Sequence, residues 1–316
     1  MRHTYQAFGL GIRSNHRLQG LLTGETDRVD VEVEFDEAGE PEVDRLAAET
    51  TPQMGSGSVR ACEDGGRLLL YGSHGGRRAW SLRVSGDGGS IQVRWRGPIE
   101  LADVAAFVET QGLPTALLLR GVPLLHGCAA ETGAGAFLVL GAGGAGKSTV
   151  AAAAVAGGHA LLTDDIAALD ATGDHVEVHP GSTQLRMNAD TAEALGWAPA
   201  ELRRVFATPT LPPKLFAPLS RADGSLCDGA RRVAAIFVLG PRRSRSVSIE
   251  RVAPVAALPL ILRNTFGERA VGPRTSARLL PLWARLAREV PVHEVVPPDD
   301  LALAPSLVDA LVAATR

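Results

Sequence analysis

Ala136-Phe137-Leu138-Val139-Leu140-Gly141-Ala142-Gly143-Gly144-Ala145-Gly146-Lys147-Ser148-Thr149 is the stretch on which the rest of the chain is read. An apolar run of buried-strand type passes through small residues into an alanine-rich segment of high helix propensity that continues to Val155. The block from Gly141 satisfies G-x-x-x-x-G-K-[ST]. In that motif backbone N–H groups cradle phosphates, the lysine reaches the β/γ-phosphates and the hydroxyl ligates Mg²⁺. Strand, loop and helix follow in the order that puts an anion at a helix N-terminus. The motif predicts ATP and Mg²⁺ as the cofactors. Gly141, Ala142, Gly143, Gly144, Ala145, Gly146, Lys147, Ser148 and Thr149 are then the nucleotide-binding residues, and Lys147 should face solvent when no nucleotide is bound.

Moving outward, Ala160-Leu161-Leu162 reads as a strand that delivers Asp164 and Asp165 to its C-terminal end. Two carboxylates beside a phosphate loop suit phosphoryl transfer: one can hold Mg²⁺ and the other accept the proton of an attacking hydroxyl. Solvation or helix capping would place acids there as well. On the other side lies His126 of Leu125-His126-Gly127, which a hydrogen-bonded core position would also explain.

Basic residues give a separate signal. Of 32, two are lysine, at 147 and 214, and the other 30 are arginine. A lysine that persists against such a bias marks a place where a compact ammonium serves and a planar guanidinium does not. Lys147 fits that description, and Lys214, in Leu211-Pro212-Pro213-Lys214, joins the candidate nucleotide-binding residues by the same reasoning. A surface accident is its alternative.

The chain has 316 residues, 45% hydrophobic and 21% charged, with a net charge of −3, which describes an ordinary globular protein and gives no bulk reason to expect nucleic acid. Arg242-Arg243-Ser244-Arg245 reads as a solvated turn. Cysteines at 62, 128 and 227 form no C-x-x-C pair, which argues for a reducing compartment and against structural zinc. Met1 to Gln6 lacks an apolar core of signal-peptide type, and apolar runs break before membrane-spanning length, so a cytoplasmic location without membrane partners is expected.

Residues 1–98 read as a β-rich N-terminal domain, a scaffold or docking surface, and 99–316 as the nucleotide domain. Val29 to Phe35, Trp80 to Val84 and Ile91 to Trp95 alternate with period two, Leu68 to Tyr71 is an apolar run, and glycine-rich turns separate them. Asp36 to Glu49 reads as an exposed loop or short helix. Helix is expected from Leu101, over Pro254 to Arg263, Arg274 to Glu289 and Ala302 to Ala313, with a strand at Val292 to Val296. Val233 to Leu239 and Val247 to Val252 are expected to pair as a hairpin. Short strands between turns imply a mixed sheet with helices packed on it, an α/β (α+β) fold.

Leu125-His126-Gly127, Gly141 to Ser148 and Gly158-His159-Ala160-Leu161-Leu162-Thr163-Asp164-Asp165, in this order, resemble the catalytic domain of the HPr kinase/phosphorylase family, bacterial serine kinases built on a phosphate loop. By position the resemblance makes Asp165 the general base, His126 the active-site histidine, Lys147 the phosphate-binding and catalytic lysine, and Ser148 a metal ligand; Asp164, the other acid of the pair, is then the carboxylate left for the metal. The family's arginine- and glycine-rich signature, which supplies a metal-binding glutamate, is missing. Asp190 lies at a comparable distance as a third metal ligand, with Glu177 and Glu193 as competitors. Arg120-Gly121-Val122-Pro123-Leu124-Leu125-His126, leading into the core, is more similar to the HPr-kinase-like proteins found with ribosomally made peptides, some of which phosphorylate a serine of a lasso-peptide precursor. The resemblance therefore implies a serine kinase whose partner is a peptide or small protein, with a homo-oligomer allowed. Its alternatives are a bifunctional kinase/phosphorylase, a small-molecule kinase and a nucleotide-binding regulator without catalysis.

Overall fold

The computed structural model describes residues 1–36, 53–54, 59–64, 67–74, 77–97, 99–209, 211–243, 246–267 and 272–316. Beyond Asp36, the expected loop or helix ending at Glu49 lies outside the described residues, as do Ser244 and Arg245 of the basic turn. Backbone contacts divide the chain into two compact units, residues 1–122, 205–212 and 267–278 in one, and 123–204, 213–266 and 279–316 in the other.

The first unit is built on β1 (His3–Ala7), β2 (Leu10–Ser14), β3 (Val31–Asp36), β4 (Gln53–Met54), β5 (Val59–Asp64), β6 (Arg67–His74), β7 (Arg77–Val84) and β8 (Ser90–Trp95). Among the described residues these form one sheet in the order β1-β2-β3-β8-β7-β6-β5-β4. The pairs β2/β3 and β3/β8 are parallel and the others antiparallel. Period-two patterning decides the faces: Val31 and Val33 are buried while Glu32 between them reaches Arg13. The helical stretch α1 (Leu101–Phe107), a π-helical turn over 108–112 and α2 (Leu113–Leu119) belong to this unit rather than to the second, although the sequence divides the chain after residue 98. Phe107 stacks on Trp80 with ring centroids 4.5 Å apart and meets Phe206 at 5.2 Å. Buried Asp103 accepts the N–H groups of Ala207 and Thr208 and the Thr208 hydroxyl, which fixes the returning segment 205–212.

The second unit carries β9 (Leu124–Thr132), β10 (Gly135–Gly141), β11 (Leu161–Thr163), β12 (Ile166–Asp170), β13 (Glu177–His179), β14 (Gln184–Met187), β15 (Arg203–Arg204), β16 (Leu215–Pro218), β17 (Arg231–Leu239), β18 (Ser248–Val252) and β19 (Val292–Val296). Its helices are α3 (Lys147–Ala156), α4 (Ala189–Ala194), α5 (Pro254–Leu262), the part of α6 (Gly272–Glu289) from Leu279 onward, and α7 (Ala304–Ala314). The sheet is mixed, as the short strands imply: β9 pairs antiparallel with β10, β11 and β12, whereas β10 and β19 both run parallel to β17. β14, β15 and β16 make a separate three-stranded sheet.

The expected hairpin of β17 with β18 is not formed. β17, buried from Ala235 onward, takes β10 and β19 as its partners, and β18, whose residues stay half-exposed or exposed, pairs with β19 instead. An apolar strand that reads as continuous is one buried on both faces, which suits a parallel position in the sheet centre better than an edge hairpin. Leu125, Leu138, Leu140, Ile236, Trp283 and Leu286 lie in the core that this arrangement closes.

Candidate phosphate-binding site

The loop begins where β10 ends. Gly141, buried, donates its N–H to Asn264 Oδ1 at 3.0 Å, and Asn264 in turn donates Nδ2–H to Leu260 O and accepts the His126 N–H on its own carbonyl at 2.7 Å. One asparagine thus ties the loop's entry to the strand carrying the histidine. Gly144 and Gly146 have φ of +79° and +109°, where a side chain would be strained. Nothing lies within 4 Å of a Cβ built at Gly143 or Gly144, so the loop presents bare backbone to open space. Gly146 caps α3 without any side-chain acceptor, leaving the first-turn N–H groups available to a ligand.

Lys147 does not face solvent. It is 8% exposed, and its ammonium donates to Gly141 O at 2.7 Å and Ala142 O at 3.3 Å. A buried cation needs acceptors, and the loop's own carbonyls are within reach of a flexible stem. Burial holds its pKa below the ordinary lysine value.

β11 brings the acidic pair to the same place. Ile166 of β12 pairs with His126 of β9, and Gly127 donates its N–H to Asp165 O at 2.9 Å, so the turn between β11 and β12 lies against the His126-Gly127 step. The two acids meet opposite environments. Asp164 is 3% exposed; Oδ2 accepts the Arg186 N–H at 2.9 Å, whereas buried Oδ1 has no hydrogen-bond partner. Burial, reinforced by the Asp165 charge, pushes its pKa up to about 6. The Asp165 side chain is 39% exposed, with Oδ1 3.3 Å from His126 Nδ1 and Oδ2 3.8 Å from Arg186 Nη1. Burial lowers the His126 pKa; Asp165 opposes that shift and the Lys147 and Lys214 charges add to it. Nδ1 thus stands close to the Asp165 carboxylate without making a hydrogen bond to it.

These groups surround an open cavity of about 210 Å³. Gly143, Gly144, Gly146, Lys147, Ser148 and Thr149 form one wall, and His126, Asp165 and Lys214 line it as well. Among the remaining sequence candidates, Gly141 is buried at the strand end, Ala142 is exposed beside the cavity lining, and Ala145 lines a neighbouring groove. Asp164 lies beneath the lining. Asp190 is exposed in the first turn of α4 and is not brought to the cavity; Asn188 and Thr191 of the same segment line it instead. Glu177 and Glu193 are exposed and do not line it either.

Sequence reasoning missed Arg186, Arg242 and Asn264. Arg186 follows the acidic pair in the next sheet, 9% exposed, with Nε buried and unpartnered. Arg242, read as part of a solvated turn, lines the cavity just beyond the end of β17. No local pattern marks Asn264; its role arises from tertiary placement alone.

The donor set fits a nucleotide polyphosphate. Lys147, Lys214, Arg186 and Arg242 set four cations against one lining carboxylate, Asp165, bare loop backbone faces the cavity, and the Ser148 residue lines it. Among the described residues no group of three or more His, Cys, Asp or Glu is spaced to hold a metal. A Mg²⁺ here would take Ser148 and the orphaned carboxylate of Asp164 from the protein and complete its shell with phosphate oxygens and water. Among the described residues, no helix is long and apolar enough to cross a membrane.

No protein-family model matches the chain, and no curated protein does. Among solved structures it is similar to the Hpr(Ser) kinase/phosphatase from Coxiella burnetii, with 11% identity over 60% of this chain and 94% of that one and a TM-score of 0.31.

Proposed function

We propose that the protein is a phosphotransferase that moves the γ-phosphoryl group of ATP to a serine hydroxyl of a peptide or small protein, a lasso-peptide precursor being the acceptor that the sequence resemblance favours. The observation that carries this reading is Asp165: a half-exposed carboxylate on the wall of a cavity whose other wall is the glycine loop, with His126 near one oxygen and Arg186 near the other.

In this reading Asp165 accepts the proton of the serine hydroxyl as its oxygen bonds to the γ-phosphorus and ADP departs. His126, whose pKa burial lowers, stands beside the carboxylate and disfavours a competing positive charge there. Lys147 exchanges the carbonyls of Gly141 and Ala142 for phosphate oxygens, so its present contacts are a resting position. When bound, Mg²⁺ supplies charge neutralisation at the phosphates; Ser148 and Asp164 are the residues that would hold it. Positioning and preorganised charge account for most of the acceleration. Without the family's arginine- and glycine-rich signature, transfer is expected to run without efficient phosphorolysis of the product.

The test is incubation with γ-labelled ATP, Mg²⁺ and a panel of serine-bearing peptides, small proteins and small-molecule alcohols, followed by phosphoserine analysis. Label in serine supports the reading. Tight nucleotide binding with no label in any acceptor would replace it with the regulator, and rapid pyrophosphate formation from phosphopeptide and inorganic phosphate would restore the bifunctional enzyme.

A further inference from the structure

β9 changes partners at one step. From Thr132 to Gly127 it pairs antiparallel with β10, and the last pair is Gly127 with Leu140. One residue further the ladder would set His126 against Gly141, and there it stops. With β12 on its other edge, the stretch from His126 back to Leu124 takes the segment after α5 as its neighbour instead. His126 donates its N–H to Asn264 O at 2.7 Å, Leu125 pairs with Thr265, and Phe266 donates to Leu124 O at 3.0 Å. The two strands therefore part at Asn264, with the phosphate loop leaving on one side and the His126 backbone on the other.

The Asn264 side chain reaches back across the parting. Its Oδ1 accepts the Gly141 N–H at 3.0 Å, and its Nδ2 donates to Leu260 O at 2.8 Å. One partner is a backbone donor and the other a backbone acceptor, which fixes the orientation of the amide. Ending α5 would need the Leu260 carbonyl alone; the bond to Gly141, 123 residues away, serves nothing in that helix. Gly141 is held at both ends, because its carbonyl accepts the Lys147 ammonium at 2.7 Å. On the far side of His126, Gly127 gives its N–H to Asp165 O at 2.9 Å. A run of bonded residues thus joins the ammonium of the phosphate loop to the residue that carries the exposed carboxylate, and the Asn264 amide is its side-chain link between Gly141 and His126.

We propose that Asn264 is a positioning residue, which sets the entry of the phosphate loop against the strand step that backs Asp165 and so brings phosphorus and base into line. The proposal rests on the phosphotransferase reading. Asn264 does not line the cavity, so it acts through Gly141 and His126 rather than on nucleotide or acceptor. Lys147 has to release Gly141 O to reach phosphate, and the Asn264 bond then remains to hold the loop's entry. Gly141, at φ +150° and without a side chain, contributes no stiffness of its own. Misplacing reacting groups by about 1 Å costs about 10²-fold in rate. The chemistry of the position selects an amide: aspartate would accept from Gly141 but turn a second acceptor on Leu260 O, and leucine would satisfy neither partner.

Transfer of label from γ-labelled ATP to the acceptor panel above, beside calorimetric ADP binding in Mg²⁺, tests this on the full chain. Asn264→Ala should lower kcat by on the order of 10²-fold while ADP Kd and acceptor KM stay within about threefold, the pattern of an arrangement needed in the transition state. Asn264→Asp keeps the shape of the side chain and decides the matter should the alanine variant fail to fold. Protonated, it donates to Leu260 O and accepts from Gly141 as the amide does; ionised, it sets a carboxylate against a carbonyl. Its kcat, taken as a ratio to wild type at each pH, should climb as pH falls from about 8 to about 5. A role confined to ending α5 would lower Tm in both variants and leave kcat of the folded protein unchanged. Alanine-variant kcat within about threefold of wild type, equal losses of ADP affinity and transfer, or an aspartate ratio that stays flat with pH would overturn the positioning role while label from wild type upholds the phosphotransferase. No label from wild type in any acceptor would sink that reading, and the positioning role with it.

Discussion

In the first unit β4 to β8 reverse direction at every step, so neighbouring strands end at opposite edges, and the ion pairs of Glu32 with Arg2 and Arg13, and of Asp30 with Arg28 and Arg120, lie outside those strands. In the second unit β10, β17 and β19 point the same way, and the segments leaving their ends supply the glycine loop, Arg242 and the Pro297-Pro298 wall of the neighbouring groove. The difference lies in strand direction: parallel ends collect loops, helix termini and charges at one edge, while antiparallel turns scatter them. The gathering places the candidate site in the second unit, and a scaffold role for the first unit is the proposal that goes with it.

The sharpest way to break the contrast is at the acid that the gathering exposes. Asp165→Asn keeps the shape of the side chain and its reach to His126 but removes the base, so phosphoryl transfer should fall by roughly 10² to 10⁴ while ADP affinity changes little. Quench-flow transfer assays beside calorimetry separate the two quantities. Equal losses in binding and transfer would move Asp165 to the metal and leave Asp164 as the base.

A change in the first unit should do the reverse. Trp80 is 2% exposed and stacks on Phe107, so Trp80→Ala should cost about 3 to 5 kcal/mol of stability, the range for deleting a large buried aromatic. Denaturant unfolding measures that loss. At temperatures where the variant remains folded, ADP affinity should stay within about twofold, well under the 1.4 kcal/mol that a tenfold change represents; a larger drop would show that the scaffold reading of this unit is wrong.

Asp164 sharpens the contrast from the cost side, because gathering carboxylates at a buried sheet edge is unfavourable. A carboxyl raised from 3.8 to about 6 is favoured by folding in its protonated form. Its ionisation therefore lowers stability progressively as pH rises from about 4 through 6, and the loss is complete above that window, amounting to about 3 kcal/mol. Asp164→Asn should flatten the Tm profile between those limits and leave the variant more stable than the parent at pH 7. Parallel profiles for the two proteins would mean that Asp164 is not strained. Mg²⁺ with nucleotide should recover part of this cost for the parent and not for the variant.

How much of this could be read beforehand depends on the range of the signal. The glycine loop, the strand before it and the helix after it are set by neighbours along the chain, and all three occur where Ala136 to Val155 predicts them. The period-two strands of the first unit were legible for the same reason. What escaped was decided by distant partners. β17 and β18 look like a hairpin because they are adjacent in sequence, yet β19 lies between them. Asn264 reaches Gly141 across 123 residues, and Arg242 looks solvated until β17 is known to run parallel to β10. Lys147 differs from its expected solvent-facing position because the carbonyls of Gly141 and Ala142, supplied by the loop's fold, lie within reach of its stem.

Lys214 gives the smallest expected effect and the most direct test of how far composition alone can reach. It enters from the stiff Pro212-Pro213 step just before β16, lines the cavity, and lies close enough for its charge to depress the pKa of His126 and Lys147. Being exposed, it forfeits little packing when removed, so Lys214→Ala should leave Tm unchanged. Its charge acts through solvent rather than a dry interior, which limits its worth to roughly tenfold in kcat, below the 10² to 10³ of a fully preorganised donor. Lys214→Arg should recover part of that loss, because a guanidinium supplies the charge but not the compact geometry that the chain's arginine bias left to lysine here. Steady-state kinetics on the three proteins at low and high salt decide the matter: the deficit should shrink as salt screens the exposed charge. A variant with wild-type kcat at both salts would return Lys214 to the surface and confine the gathered chemistry to the loop, the acidic pair and His126.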